Sequence, residues 1–207
     1  MDILKVNICN YMGIIKMMIE RWLKINEKGS SLIIGPRRSG KTTFLKARFP
    51  NHKYVTLDDL DDYAWAKNDP KGFVQSLGSK VIIDEIQRLP ILTIAVKNEI
   101  DNRRSQFILT GSSSIGLLDS TADSLAGRIA LYSMPTVCFG ESAGRSTHHL
   151  FNEKLDYKSL KEAQRLLSDA IRFGQFPEVL TLPDNEAKKE LLTNYRNSYF
   201  IRDLMQL

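Results

Sequence analysis

Leu32-Ile33-Ile34-Gly35-Pro36-Arg37-Arg38-Ser39-Gly40-Lys41-Thr42-Thr43 is the stretch on which the reading of this chain turns. An apolar run ends in a glycine-containing loop, and Phe44-Leu45-Lys46-Ala47 continues it as a helix. Gly35, Gly40, Lys41 and Thr42 satisfy G-x-x-x-x-G-K-[ST], the pattern of a phosphate-binding loop. The two glycines permit backbone angles and a close approach that a Cβ forbids. The turn aims successive N–H groups inward at a helix N-terminus, which makes an anion nest. Gly35, Pro36, Arg37, Arg38, Ser39, Gly40, Lys41, Thr42 and Thr43 are therefore the candidate nucleotide-binding residues. Lys41 is placed to reach the β- and γ-phosphates and the Thr42 hydroxyl to ligate Mg²⁺. An accidental match would not need the strand before the loop and the helix after it.

The second landmark is Val81-Ile82-Ile83-Asp84-Glu85. A short, continuous apolar run is the mark of a strand buried on both faces of a parallel sheet. Behind a phosphate-binding loop, the terminal carboxylate pair reads as a Walker B arrangement. Asp84 then holds Mg²⁺ through its water shell, and Glu85 polarises or positions the attacking water. Gln106-Phe107-Ile108-Leu109-Thr110-Gly111-Ser112-Ser113-Ser114 is a further buried strand ending in hydroxyls. A polar side chain there would lie between the carboxylate pair and the γ-phosphate. Ser112 is the first candidate for sensing that phosphate and Thr110 the second. Ser113 and Ser114 equally suit capping of a following helix.

Tyr54-Val55-Thr56-Leu57 and Ile129-Ala130-Leu131-Tyr132 complete five expected strands, alternating with helices at 41–48, 90–104 and, in helical or mixed form, 114–127. That alternation predicts an α/β fold with a mostly parallel sheet, with ligand at the carboxyl ends of the strands. Asp58-Asp59-Leu60-Asp61-Asp62 reads as a helix cap and first turn, with a metal cluster as the alternative. Asp69-Pro70 marks another helix start. On helix 90–104, Ile91, Ile94, Ala95, Asn98 and Ile100 form the expected, mostly apolar face.

Residues 11–28 read as an amphipathic helix through Ile14, Met17, Met18, Trp22 and Ile25, packing beside the first strand or binding a partner. Residues 140–149 suit a loop; His148-His149 lacks the other spaced ligands of a metal site. Residues 158–172 and 184–205 read as helices around a break at Gly174-Gln175-Phe176-Pro177-Glu178. The organisation expected is an N-terminal helix region over 1–29, a core over 30–140 and a helical lid over 141–207.

The 207 residues, 43% of them hydrophobic, suffice for one such domain with a small appendage. Cys9 and Cys138 form no C-x-x-C pair, which argues against a disulfide framework or zinc site and fits a reducing cytoplasm as buried small residues. No apolar run is long enough to span a membrane, and the first residues lack the order of a signal peptide. The net charge of +5 permits contact with nucleic acid without showing it. Arg37-Arg38 and Arg103-Arg104 are the densest basic pairs.

Taken together, several stretches resemble the AAA-like ATPase domain of a bacterial and archaeal family that often carries a DUF4143 region behind it. They are Gly35 to Thr43, Asp84-Glu85-Ile86-Gln87, Ile108-Leu109-Thr110-Gly111-Ser112-Ser113, Leu125-Ala126-Gly127-Arg128, and Phe176-Pro177-Glu178-Val179 followed by Arg202-Asp203-Leu204. The resemblance implies a P-loop NTPase core of the ASCE type with strand order 5-1-4-3-2 and a partial helical lid. It also implies ATP and Mg²⁺ as ligands. Arg128 matches an arginine before the fifth strand that in AAA-type ATPases often reaches a neighbouring subunit's γ-phosphate. A homo-oligomer would follow; a local salt bridge is the alternative role. Family members usually continue into a C-terminal domain, so this chain is expected to be short relative to them.

The expected activity is ATP hydrolysis with Mg²⁺. Its rivals are a slow-turnover regulatory switch, a DNA-associated ATPase, a GTPase and a small-molecule kinase. The guanine-reading N-K-x-D tetrapeptide does not occur, and adjacent Asp84-Glu85 favours water activation over transfer to an acceptor.

Overall fold

The computed structural model describes residues 19–103, 105–112, 125–144 and 157–200. The described chain divides into two compact units, one over Leu23–Thr136 and one combining the segment up to Trp22 with the chain from Val137 onward.

The first unit is a parallel α/β sheet. Its strands are β1 (Ser30–Gly35), β2 (Lys53–Thr56), β3 (Lys80–Asp84), β4 (Gln106–Ser112) and β5 (Ile129–Ser133), in the order β2-β3-β4-β1-β5. Every pairing is parallel, which is the 5-1-4-3-2 order that the family resemblance implies. Alternation along the strands sorts the core into two layers. Leu32, Val81, Ile83, Phe107 and Leu109 face one cluster with residues of α2 (Leu60–Asn68), α3 (Pro70–Ser76) and α4 (Leu92–Arg103). Ile33, Ile82 and Ile108 face the other, with Leu45 of α1 (Lys41–Arg48) and Met134.

The helix starts follow local chemistry. Asp59 caps α2 by accepting from the amides of Asp61 and Asp62, so the aspartate run is a cap and first turn. Asp69 caps α3 through the Gly72 amide, with Pro70 at the first turn. The remaining aspartate, Asp58, pairs with Arg88.

Two sequence expectations fail here. Residues 19–26 are not helical. The Trp22 amide donates to Glu141 Oε1 and the Asn26 amide to the Tyr132 hydroxyl, so donors that a helix would use locally go to distant acceptors. The rest of that expected helix, residues 11–18, lies outside the described residues, as do Cys9 and His148-His149. On α4 the buried positions are Leu92, Thr93, Ala95, Val96 and Glu99; of the expected face Ala95 and Ile100 do pack on the core, while Ile91 and Ile94 are about half exposed and Asn98 is exposed. Glu99 belongs to the inward stripe, and Gln75 Nε2 donates to its carboxylate at 3.0 Å. Apolar counting passes over a carboxylate.

In the second unit, α5 (Phe139–Ser142) is a single turn where a loop was expected. Glu141 makes it: its carboxylate accepts from the Cys138 amide at 2.8 Å and pairs with Arg21 Nε at 3.0 Å. Cys138 is half-buried rather than buried. Then come α6 (Tyr157–Phe173), α7 (Pro177–Leu180) and α8 (Asn185–Tyr195), which runs into a wider turn over Arg196–Phe200. Residues 201–205 of the last expected helix lie outside the described residues, as do residues 113–124.

Phe107 is fully buried in the larger core cluster, so Phe107→Ala should cost about 3–5 kcal/mol in urea denaturation. Leu60 is 76% exposed. Leu60→Ala should stay within about 0.5 kcal/mol of the parent in the same experiment.

Candidate functional site: a phosphate-binding loop and a clasped carboxylate

The loop leaves β1 at Gly35 and enters α1 at Lys41. Arg38 (φ 63°) and Gly40 (φ 91°) both take left-handed angles, which turns the chain sharply into the helix. The first helical hydrogen bond runs from the Phe44 amide to the Gly40 carbonyl at 2.9 Å. The amides of Lys41, Thr42 and Thr43 precede it and have no acceptor within the helix. No side chain caps this end. It is the geometry of an anion nest.

Gly35 has a further constraint that the motif alone does not express. A Cβ at this position would stand 2.0 Å from the Met134 carbonyl oxygen. The close approach is that of the chain leaving β5, whose Met134 amide donates to the Ile34 carbonyl at 2.7 Å.

Lys41 is buried, and its ammonium donates to the carbonyls of Gly35 at 2.8 Å and Pro36 at 2.9 Å. Burial lowers its pKa; the charges of Glu85 and Asp84 act in the opposite direction, and Arg37 adds to the lowering.

Asp84 ends β3, only 4% exposed. A buried carboxylate must be met by donors. Three hydroxyls from three elements do this. Thr42 of α1 donates to Oδ2 at 2.7 Å, Tyr54 of β2 donates to Oδ2 at 2.7 Å, and Thr110 of β4 donates to Oδ1. Thr110 Oγ1 also accepts from the Glu85 amide at 3.3 Å. Burial first, then the bond to Asp84, raises the Tyr54 phenol's pKa well above its ordinary value, so it remains a donor.

Glu85 follows in the left-handed region, φ 60° and ψ 43°. It and Arg38 are the non-glycine residues with positive φ among those described; Arg38 lies in the loop and Glu85 directly after Asp84. Such strain collects at functional sites. The Glu85 carboxylate accepts from the side-chain amide of Gln87.

Ser112 ends β4 directly beside Gly35 in register, and is buried. Arg128 stands immediately before β5. It makes a two-pronged contact with Asp101 of α4, Nε lying 2.8 Å from Oδ1 and 2.9 Å from Oδ2. This bond holds the Asp101 carboxyl below its usual range.

The structure thus brings Thr42, Asp84 and Thr110 into one cluster and sets Ser112 beside the loop. Glu85 engages Gln87, and Arg128 engages α4. Tyr54 is the residue that sequence reasoning passed over, taking it for a strand residue only. The signal lies in the register, which the sequence does not show: Thr56 lies opposite Asp84, and Tyr54 is two residues earlier on the same face.

The hydroxyl of Thr42 and the carboxylate of Asp84 are hard oxygen donors of the kind Mg²⁺ takes. Among the described residues, no group of three or more His, Cys, Asp or Glu is placed to hold a metal. A divalent ion here would fill its shell with water and phosphate oxygens, as Mg²⁺ does in nucleotide sites. No helix of the described residues is long and apolar enough to cross a membrane.

This is the site of a P-loop nucleotide-binding domain, and comparison with known proteins gives its family. Residues 27–143 match the AAA domain family AAA_14, to which the chain belongs. Uncharacterized protein MJ1544 of Methanocaldococcus jannaschii is 28% identical over 206 residues, covering 89% of this chain and 44% of that protein. Uncharacterized protein Rv2008c of Mycobacterium tuberculosis is 27% identical over 179 residues, covering 85% and 36%. The chain therefore spans less than half the length of these curated relatives. Among solved structures, a Signal Transduction ATPase with Numerous Domains protein with a tetratricopeptide repeat sensor, PH0952 from Pyrococcus horikoshii, overlaps with a TM-score of 0.47 at 13% identity. That overlap covers 76% of this chain and 28% of that one.

Gly35→Ala should destabilise the fold itself, by about 1–3 kcal/mol in chemical denaturation, because the methyl meets a backbone carbonyl that moves only with β5. A glycine serving ligand approach alone would lose nucleotide affinity and keep its stability.

Proposed function

We propose that the chain binds ATP with Mg²⁺ and hydrolyses it. The observation that carries this reading is the 2.7 Å contact between Thr42 and Asp84 at the mouth of the nest. It joins a phosphate-binding loop to a buried carboxylate through the hydroxyl that a P-loop uses for its metal. The AAA family membership supports nucleotide binding independently.

In this reading the loop amides and Lys41 hold the phosphates, with Lys41 exchanging its carbonyl partners for phosphate oxygens. Thr42 and Asp84 serve the metal. Bound Mg²⁺ would neutralise charge on the β- and γ-phosphate oxygens. Glu85 orients the attacking water, Ser112 senses the γ-phosphate, and Thr110 holds Asp84 in place. Arg128 leaves Asp101 to meet charge growing on the γ-phosphoryl oxygens of a neighbouring subunit. Positioning and electrostatic stabilisation are most of what such chemistry requires.

A second reading, the slow-turnover switch, is favoured by one contact. Glu85 is engaged by Gln87, so water activation waits on its release. A single-turnover rate well below the rate of nucleotide exchange would select it.

Lys41→Ala should weaken ATP binding strongly in calorimetry and leave the fold intact. Glu85→Gln should still bind ATP and lose turnover by about 10² or more, the range for a lost general base. Unchanged turnover would remove Glu85 from the chemistry. If Arg128 acts across subunits, activity per subunit should rise with protein concentration. Arg128→Ala should abolish that rise, at a cost of about 10³–10⁵ in rate. Mixing Arg128→Ala with Glu85→Gln should restore part of it. No recovery, with a monomer in sedimentation, would leave Arg128 as the local partner of Asp101.

A further inference from the structure

Each carboxylate oxygen offers two lone-pair directions, four in all. On Asp84 the two oxygens face different surroundings. Oδ1 meets Thr110, which is fully buried and also receives the Glu85 amide. Oδ2 meets Thr42, the hydroxyl at the start of α1, so Oδ2 is the oxygen on the side of the nest. Both directions on Oδ2 are in use, one by Thr42 and the other by Tyr54, each at 2.7 Å.

The reading above keeps Thr42 at the metal, where its oxygen ligates while its hydrogen still points at Asp84. Water on that same ion would reach Asp84 at Oδ2, and the direction left for it is the one Tyr54 holds. Of the two donors on Oδ2, Tyr54 is the one free to give way. Its hydroxyl sits at the end of a half-buried ring on β2, at the edge of the sheet. The exposed Lys46 side chain covers that ring, with Nζ 3.6 Å from its centre.

We propose that the Tyr54 hydroxyl is a placeholder on Asp84: it satisfies the carboxylate while the metal position is empty, and yields to a metal-bound water when Mg²⁺ arrives with nucleotide. Tyr54 is a positioning residue whose hydrogen bond belongs to one state of the site and not to the other. The inference rests on the ATP·Mg²⁺ reading and deepens it, since it makes Tyr54 a brake on metal loading.

The thermodynamic signature follows. Removing the hydroxyl destabilises the metal-free protein and leaves the loaded one unaffected, so the metal is bound more tightly by the worth of the lost bond. Two quantities would be measured on the full chain, wild type and Tyr54→Phe. One is the Mg²⁺ concentration giving half-maximal binding of a non-hydrolysable ATP analogue. The other is the melting temperature with and without Mg²⁺ and analogue.

Tyr54→Phe should need less Mg²⁺, by about 10- to 100-fold if the bond has the usual strength of one to a charged group. It should melt lower than wild type without ligand and gain more on loading. An unchanged Mg²⁺ requirement, with melting lowered equally in both states, would make Tyr54 a merely structural partner and overturn the proposal. A raised requirement would overturn it too, by making Tyr54 an aid to metal binding. If wild type itself shows no Mg²⁺-dependent binding, the ATP·Mg²⁺ reading falls and the inference with it; that failure appears in wild type before any variant is compared.

A second measurement covers a variant that does not fold. With 3-fluorotyrosine at position 54, the ¹⁹F resonance should shift when Mg²⁺ joins the analogue and not when analogue is added alone. No shift on Mg²⁺ addition would overturn the displacement.

Discussion

A single carboxylate, Asp84, sits at the end of a buried strand and has to be satisfied there. A buried acceptor without donors costs about 1–3 kcal/mol, and more when charged, whereas water satisfies an exposed one. The fold meets that demand with hydroxyls from α1, β2 and β4. This explains why strand order matters to the site. β3 lies between β2 and β4, so both neighbours contribute a donor at its carboxyl end. The third donor arrives because the loop after β1 turns immediately into α1. Moving any one of these elements by a residue would take one of the three donors away from the carboxylate.

The same cluster ties the phosphate nest to the sheet. Arg38 within the loop and Glu85 after β3 both hold left-handed angles, and the Glu85 amide is fixed by its bond to Thr110. The charged groups of the site all have protein partners: Lys41 the carbonyls of Gly35 and Pro36, Glu85 the amide of Gln87, Arg128 the carboxylate of Asp101. In the proposed reading each partner is given up for a phosphate oxygen, a water or a neighbouring subunit. A site built this way is ordered before ligand arrives, and ligand exchanges one set of bonds for another.

Much of this was legible in the residues. β1 and α1 were marked by the apolar run, the loop and the helix flank, and α1 begins and ends where the pattern placed it, at Lys41 and Arg48. The caps Asp59 and Asp69 were readable because capping is local chemistry. The strand order came through resemblance to a family. Tertiary contacts defeated the rest. Nothing near Trp22 in sequence reveals that Glu141 takes its amide, and nothing in α4 reveals that Gln75 lets Glu99 turn inward. Tyr54 was illegible for the same reason: its role depends on the register between β2 and β3. Cys138 could be read as a small residue, but not its place at the head of the turn that Glu141 closes.

The central claim is that the nest and Asp84 together hold a nucleotide and its metal. A crystal structure with a non-hydrolysable ATP analogue and Mg²⁺ tests it most directly. The account predicts the phosphates against the amides of Lys41, Thr42 and Thr43, with the metal on the Thr42 hydroxyl and its water on Asp84. Nucleotide bound elsewhere, or a metal that does not meet Thr42, would contradict it.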